Sequence, residues 1–358
     1  MEPETEPLTT VLMDLDAAPI DRPAAYLDAQ RSLALVAARL TAAVATACRR
    51  EWAMLDAAGD PPVGAPAPVI DPEALLLASA WLAPHDRTLA ATTHAWVSRW
   101  SDLLSVQRTR NLARAFPPSV EAELRNIAVT AYERGKDFRW APLVKGAPAA
   151  PATDTAADDT DTAAAATGGV PCATRLPVHH TALLMLRLRM AFGVGARPDA
   201  LAYLLARDSA WSAIADIAQA TGYTTSAIRR ALDRMAAARI VSSADDGACR
   251  YRCDVPAWAA LFSLHERVEP WPYRLQGYAF VAQCVTLADG LARRKLTAYA
   301  ITEAVRGLAR SVRISGDGAV QRAWDDAFRE GSALPEMERA LLHLAAALHW
   351  PAQTDQGA

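Results

Sequence analysis

Apolar positions along this chain recur mainly at helical intervals. Between residues 24 and 55, Leu27, Leu33, Leu35, Val36, Leu40 and Val44 follow one another with arginines between them. No glycine or proline interrupts the stretch, which predicts one long helix that packs against a partner helix. Asp71-Pro72-Glu73 is a helix start, a carboxylate cap with proline in the first turn. Leu75, Leu76, Leu77, Trp81 and Leu82, then Leu89, Trp96, Val97 and Trp100, extend helices beyond it. Ser105 can cap a further helix to Phe116, with Val106, Leu112 and Phe116 on its core side. A helix is expected over Thr181 to Phe192, stopped by Gly193-Val194-Gly195 and restarted at Pro198-Asp199 through Leu201, Leu204 and Leu205. Residues 273 to 350 hold several alanine- and leucine-rich helices, with Trp271, Trp324 and Trp350 as anchors of their core.

Two stretches break the periodicity. Residues 57–69 are rich in Pro, Ala and Gly. Residues 145–174 contain Pro, Ala, Thr and Asp, with four aspartates and no base between Lys145 and Arg175. Such a segment cannot bury enough apolar surface to offset its ordering entropy and reads as a disordered tether. The expected organisation is an N-terminal helix (1–56), a linker (57–69), a helical domain (70–144), the acidic linker (145–174), a second domain (175–265) and a C-terminal helical region (266–352).

Residues 212 to 252 carry the most specific pattern. Ser212 can cap a short helix whose Ile214, Ile217 and Ala218 share one face. Gly222 suits a left-handed stop, and Ala218 and Ala220 are small enough for a second helix to cross closely. Thr224 can cap that second helix, Thr225 to Ala237, in which Ile228, Leu232 and Met235 form a buried stripe. Opposite the stripe lie Ser226, Arg230, Asp233 and Arg234, with Thr225 and Arg229 on the flanks. Ile240-Val241 and Cys249-Arg250-Tyr251-Arg252 then read as two short strands around the turn Asp245-Asp246-Gly247, with Arg250 and Arg252 on one face of the second strand.

This block resembles the winged helix-turn-helix domains of bacterial transcriptional regulators of the MarR and ArsR type, over about residues 175–262. The resemblance implies a mainly α fold with a small β-hairpin wing. It further implies a repressor-type, sequence-specific regulator that places the helix Thr225 to Ala237 in the major groove of double-stranded DNA. The residues it assigns to DNA are Thr224, Thr225, Ser226, Arg229, Arg230, Arg234, Arg250 and Arg252. Arginine can pair with the O6 and N7 acceptors of guanine, while the wing arginines would hold the adjacent backbone. Asp233 and the Asp-Asp turn depart from that basic pattern, and Asp233 can pair with Arg229 one turn earlier. One such module rarely supplies both affinity and specificity, so a homodimer on a two-fold site is expected, with the flanking helices as dimer surfaces.

Charge agrees with a DNA reader. From Arg175 to Arg252 there are 11 arginines and 6 acids, while the 358-residue chain has a net charge of −3. A basic module in a mildly acidic chain is the pattern of nucleic-acid recognition. The arginine bias itself is general, since only Lys136, Lys145 and Lys295 are lysines. Arg108, Arg110, Asn111 and Arg114 allow two readings of the helix at Ser105 to Phe116: a second DNA surface, or a solvated basic face of a bundle helix.

Scarce glycine and few β-branched runs favour helix throughout. No segment reads as eighteen uncharged apolar residues and the start Met-Glu-Pro-Glu-Thr-Glu is acidic, so a cytoplasmic protein without membrane contact is expected. The scattered cysteines (Cys48, Cys172, Cys249, Cys253, Cys284) do not make a disulfide framework. No Gly-x-Ser-x-Gly, His-Glu-x-x-His, phosphate loop or Cys-x-x-Cys is present, so neither an enzyme nor a cofactor is expected. The nearest metal-like set is Cys249 and Cys253 with His179-His180, without a fixed ligand register. Two other classes stay open: a protein-interaction subunit that uses the winged helix for docking, and a helical enzyme whose site is assembled only in the fold.

Overall fold

The computed structural model describes residues 23–55, 68–145, 175–178, 180–244, 249–262, 268, 271–292, 297–310, 312–314 and 318–348. Both interdomain linkers expected from the sequence, the Asp245-Asp246-Gly247 turn, His179 and Trp350 fall wholly or largely outside them. The described chain is mainly helical, with one small three-stranded antiparallel sheet. It divides into two compact units, and the division falls within the first helix, between Ala47 and Cys48.

The first unit comprises the described residues within 23–47, 115–117 and 273–348. It is built on the start of α1 (Pro23–Met54) with α12 (Arg274–Ala292), α13 (Ala298–Arg310), α14 (Gly318–Ala327) and α15 (Leu334–Leu348). Leu33, Val36, Leu40 and Val44 of α1 are buried as their spacing requires, whereas Leu35 is exposed. Phe280, Trp324 and Phe328 form an aromatic core with centroids 5.3 and 4.5 Å apart. The Trp324 indole N–H donates to the Ala309 carbonyl at 3.2 Å, so the ring is buried with its polar atom satisfied. Trp271 instead packs against Tyr203 in the second unit. By length and composition the stretch Gln30–Met54 is apolar enough to cross a membrane, although half of it is buried within the protein, as in a core helix.

The second unit comprises the described residues within 48–114 and 118–272. Residues 70–144 and 175–265, read from sequence as two segments, thus contribute to one body. Its first part holds α2 (Pro72–Leu82), α3 (Arg87–Trp100), α4 (Val106–Ala113), α5 (Val120–Glu133) and the short α6 (Ala141–Val144). Asp71 caps α2 by accepting from the Ala74 amide at 3.1 Å, and every residue of α2 is buried. Trp52 sits on this core, 5.5 Å from Trp96, and donates to Ser79 Oγ at 2.9 Å.

The second part runs α7 (Leu184–Phe192), α8 (Ala196–Leu205), β1 (Ser212–Ala213), α9 (Ile214–Thr221), α10 (Thr225–Ala237), β2 (Ser242–Ser243), β3 (Arg250–Arg252) and α11 (Val255–Phe262). Gly193 ends α7 with φ +78°, the backbone conformation that glycine tolerates best. The strands lie in the order β1-β3-β2, with Ser212 opposite Tyr251 and Ser243 opposite Tyr251 on the other edge. Ser212 therefore does not cap α9: it lies in β1, Ala213 holds the cap position, and the buried Ser212 hydroxyl has no hydrogen-bond partner among the described residues. The strand expected at Ile240-Val241 forms two residues later, because Met235 and Arg234 carbonyls still hold the Ile240 and Ala238 amides in the helix end.

Candidate nucleic-acid interface

The arrangement of α9 and α10 follows from three local choices. Gly222 takes φ 72° and ψ 18°, which lets its amide close α9 on the Ala218 carbonyl at 2.8 Å. Thr224, two residues after Gly222, accepts from the Ala227 amide at 3.3 Å and caps the start of α10 at Thr225. Ile228, Leu232 and Met235 are buried with Ile214, Ile217 and Ala218, so the inner stripe of each helix covers the other.

That packing turns one face of α10 outward. Thr224, Thr225, Ser226, Arg229, Arg230, Asp233 and Arg234 are all exposed. Arg230 and Arg234 form no ion pair among the described residues. Arg229 donates from Nη1 to Cys249 Sγ at 3.4 Å, not to Asp233. Asp233 accepts from the Tyr251 hydroxyl at 2.6 Å. Burial and that carboxylate push the Tyr251 phenol up to about 12, so the hydroxyl keeps its proton and donates to Asp233 at neutral pH. The acid that departs from the basic pattern is in this way engaged within the protein.

Tyr251 is buried and points at α10, while its neighbours Arg250 and Arg252 are exposed. Side chains alternate along a strand, so the two arginines stand on the side of β3 away from α10. The Arg252 guanidinium lies 4.6 Å from the Trp211 ring centroid. The structure therefore gathers Thr224, Thr225, Ser226, Arg229, Arg230 and Arg234 on one helix face and sets Arg250 and Arg252 apart on the hairpin.

Behind the face lies a buried ionic cluster that the sequence reading missed. Arg108, on α4, places its Nη2 2.5 Å from Asp71 Oδ2, bonds Glu73 through Nη1, and donates from Nε to the Thr221 carbonyl at 2.7 Å. Arg189, on α7, bonds Glu73 at 2.8 and 2.9 Å and Asp199 at 2.8 and 2.7 Å. The Tyr223 hydroxyl donates to Asp199 at 2.8 Å, and its ring lies 5.7 Å from the Arg108 guanidinium. Burial alone would raise the Glu73 carboxyl, but the guanidiniums of Arg189 and Arg108 hold it down to about 2. Burial and the Asp199 carboxylate raise the Tyr223 phenol well above its ordinary value.

Thr221 ends α9 and Tyr223 lies in the turn to α10, so this cluster fixes the turn from behind. It also overturns the reading of Arg108 as a DNA-contacting residue: its side chain is fully buried. Arg110 and Arg114 remain exposed, whereas Asn111 is half-buried and accepts from Gln107 at 3.0 Å. A helix-start signature marked Asp71 and Glu73, but nothing local marked Arg108 or Arg189.

Cys249 is exposed and Cys253 buried, and the Cys253 thiol is raised to about 12 by burial and the nearby Asp254 carboxylate. No group of three metal-ligating side chains gathers among the described residues. Comparison of the chain with protein-family models, curated proteins and solved structures returns no match.

Proposed function

We propose that this protein is a winged-helix, sequence-specific DNA-binding regulator whose recognition helix is α10. The observation that carries the reading is the outward face of α10, where hydroxyls from Thr224, Thr225 and Ser226 and guanidiniums from Arg229, Arg230 and Arg234 stand together. The order of elements supports it: a helix pair joined by the Gly222 turn, then a hairpin whose second strand pairs with a strand ahead of the first helix of the pair. Hydroxyl and guanidinium groups at the start of such a helix match the acceptors of the major groove and the phosphates beside it. Arg250 and Arg252, displaced onto the hairpin, suit the neighbouring backbone rather than the same bases. Two copies on a two-fold site complete the reading, since a single module gives limited specificity.

The test is capture and sequencing of genomic fragments by the purified full chain at near-physiological salt, with the Arg229→Ala/Arg230→Ala double variant as control. A two-fold symmetric site, enriched by the native protein and lost by the variant, is the expected outcome. Sequence-blind, salt-sensitive binding by both proteins would sink the assigned recognition helix.

One observation favours a second reading, a protein-interaction subunit. None of the residues of α11 is buried, and Leu261 is 70% exposed. An apolar helix face left open in this way is typical of a surface that meets another protein. Failure of DNA capture together with stable association of a protein partner would favour that reading.

A further inference from the structure

A cleft of about 430 Å³ opens between the turn that links α7 to α8 and the side of α10. Its charged walls are Arg197 from α8 and Arg230 and Arg234 from α10, and no carboxylate lines it. None of the three arginines forms an ion pair among the described residues. Asp199, the acid nearest Arg197 in sequence, is fully buried and already bonded to Arg189 and Tyr223, while Asp233, beside Arg234 on α10, does not line the cleft and accepts from the Tyr251 hydroxyl. Like charges brought to one concavity repel, and no carboxylate among the residues that line the cleft offsets this. The opposite wall is Gly193 and Gly195, with φ of +78° and +151°, and a Cβ added at either would meet nothing within 4 Å. That wall is open to solvent, not packed against protein. Phe192, at the rim, is 52% exposed.

We infer that this cleft is a binding site for a phosphate group. Guanidinium groups recognise phosphate through paired, charge-assisted hydrogen bonds, and three of them can surround one anion. The volume falls in the range that holds a small ligand, so the cleft has room for a pyrophosphate or a nucleotide as well as for one phosphate. Phe192 offers an apolar surface to the body of such a molecule. The phosphate has two sources, the backbone of bound DNA or a free phosphorylated small molecule. Only the first rests on the DNA-binding reading above. Because Arg230 and Arg234 serve both the cleft and the outward face of α10, a free phosphoanion in the cleft competes with DNA.

The experiment uses the full chain, its Arg197→Ala variant and, as a charge-matched control on an exposed position of the same unit, Arg110→Ala. Thermal melts establish that all three fold. Calorimetric titration with inorganic pyrophosphate forms one arm. Fluorescence anisotropy of captured DNA over a range of salt, with and without pyrophosphate, forms the other. If the anion is free, pyrophosphate binds, binding weakens about tenfold or more in Arg197→Ala but not in Arg110→Ala, and pyrophosphate displaces DNA. If the anion is DNA backbone, pyrophosphate is inert, while Arg197→Ala lowers DNA affinity and reduces the salt dependence by about one phosphate contact. An Arg197→Ala protein that matches the native one in both arms overturns the site. DNA binding that needs Arg229 and Arg230 would survive that result. Conversely, pyrophosphate binding that needs Arg197 without any DNA binding would leave the site standing and remove the DNA reading.

Discussion

Two sets of arginines in the same compact unit stand in opposite surroundings. Arg108 and Arg189 are fully buried among Asp71, Glu73 and Asp199, with the Thr221 carbonyl as a further acceptor for Arg108 and the Leu103 carbonyl for Arg189. Arg230 and Arg234 stand in solvent with no carboxylate partner among the described residues. The residue type is the same, and its role is set by whether the fold brings acids to it. Buried guanidiniums of the first kind gain little net stability over an apolar core, but removing one partner strands a charge. Exposed guanidiniums of the second kind cost the fold little and remain available to an anion outside it. The first set holds the α9–α10 turn in place, and the second is what that turn presents.

The contrast can be broken most severely at its hub. Glu73→Gln removes a charge that two buried guanidiniums share, and unfolding free energy should fall by about 3–5 kcal/mol, measured by urea denaturation. An unchanged denaturation midpoint would mean that the cluster is not a fixed unit. Next in size is the effect of pH. The Glu73 carboxyl is held at about 2 in the folded protein against 4.5 when free. Its folded value is depressed, so the stabilisation is present in full above 4.5 and is lost as pH falls toward 2, amounting to about 3 kcal/mol. Denaturation curves across that interval should show the loss, and it should vanish in Glu73→Gln.

The exposed set predicts the reverse pattern. Arg229→Ala/Arg230→Ala should weaken DNA binding by about 1–3 kcal/mol per contact while shifting stability by no more than about 0.5 kcal/mol. A large drop in stability would place these residues with the buried set. Tyr251→Phe should lower stability by about 1 kcal/mol, because the Asp233 carboxylate loses its hydroxyl donor at a partly exposed site. The smallest expected change is at the turn itself. Gly222→Ala forces a side chain into the left-handed region and should cost about 1 kcal/mol or less in a thermal melt, without altering affinity per folded molecule.

The legible parts of this fold were those decided by near neighbours in sequence. The Gly222 stop, the Thr224 and Ser105 caps and the Ile228-Leu232-Met235 stripe each depend on residues within a turn or two, and each stands where its spacing put it. The outward set on α10 followed from the same stripe. The ionic cluster was not legible, because its pairs join residues 35, 37 and 116 positions apart. Arg108 also lies on a stretch whose sequence looks like a basic surface, and Arg110 and Arg114 do stay exposed; only Arg108 is drawn inward, by acids distant in sequence. The strand β1 was missed because two residues carry no alternation to read. Ser212, which has the right side chain for a cap, is drawn into that strand by pairing with Tyr251.

The buried helix α2 has a consequence for how the chain is made. Its eleven residues emerge from the ribosome more than a hundred residues before Arg189 and Asp199, which complete the cluster seated on Glu73. At translation speeds of about 5–20 residues per second, that interval is on the order of ten seconds. For that time Leu75, Leu76, Leu77, Trp81 and Leu82 have no finished core to enter, and Glu73 awaits its second arginine. The nascent chain is thus a natural client for a chaperone over this interval, and synonymous changes that slow translation between residues 83 and 199 should lower the soluble yield of an otherwise identical protein.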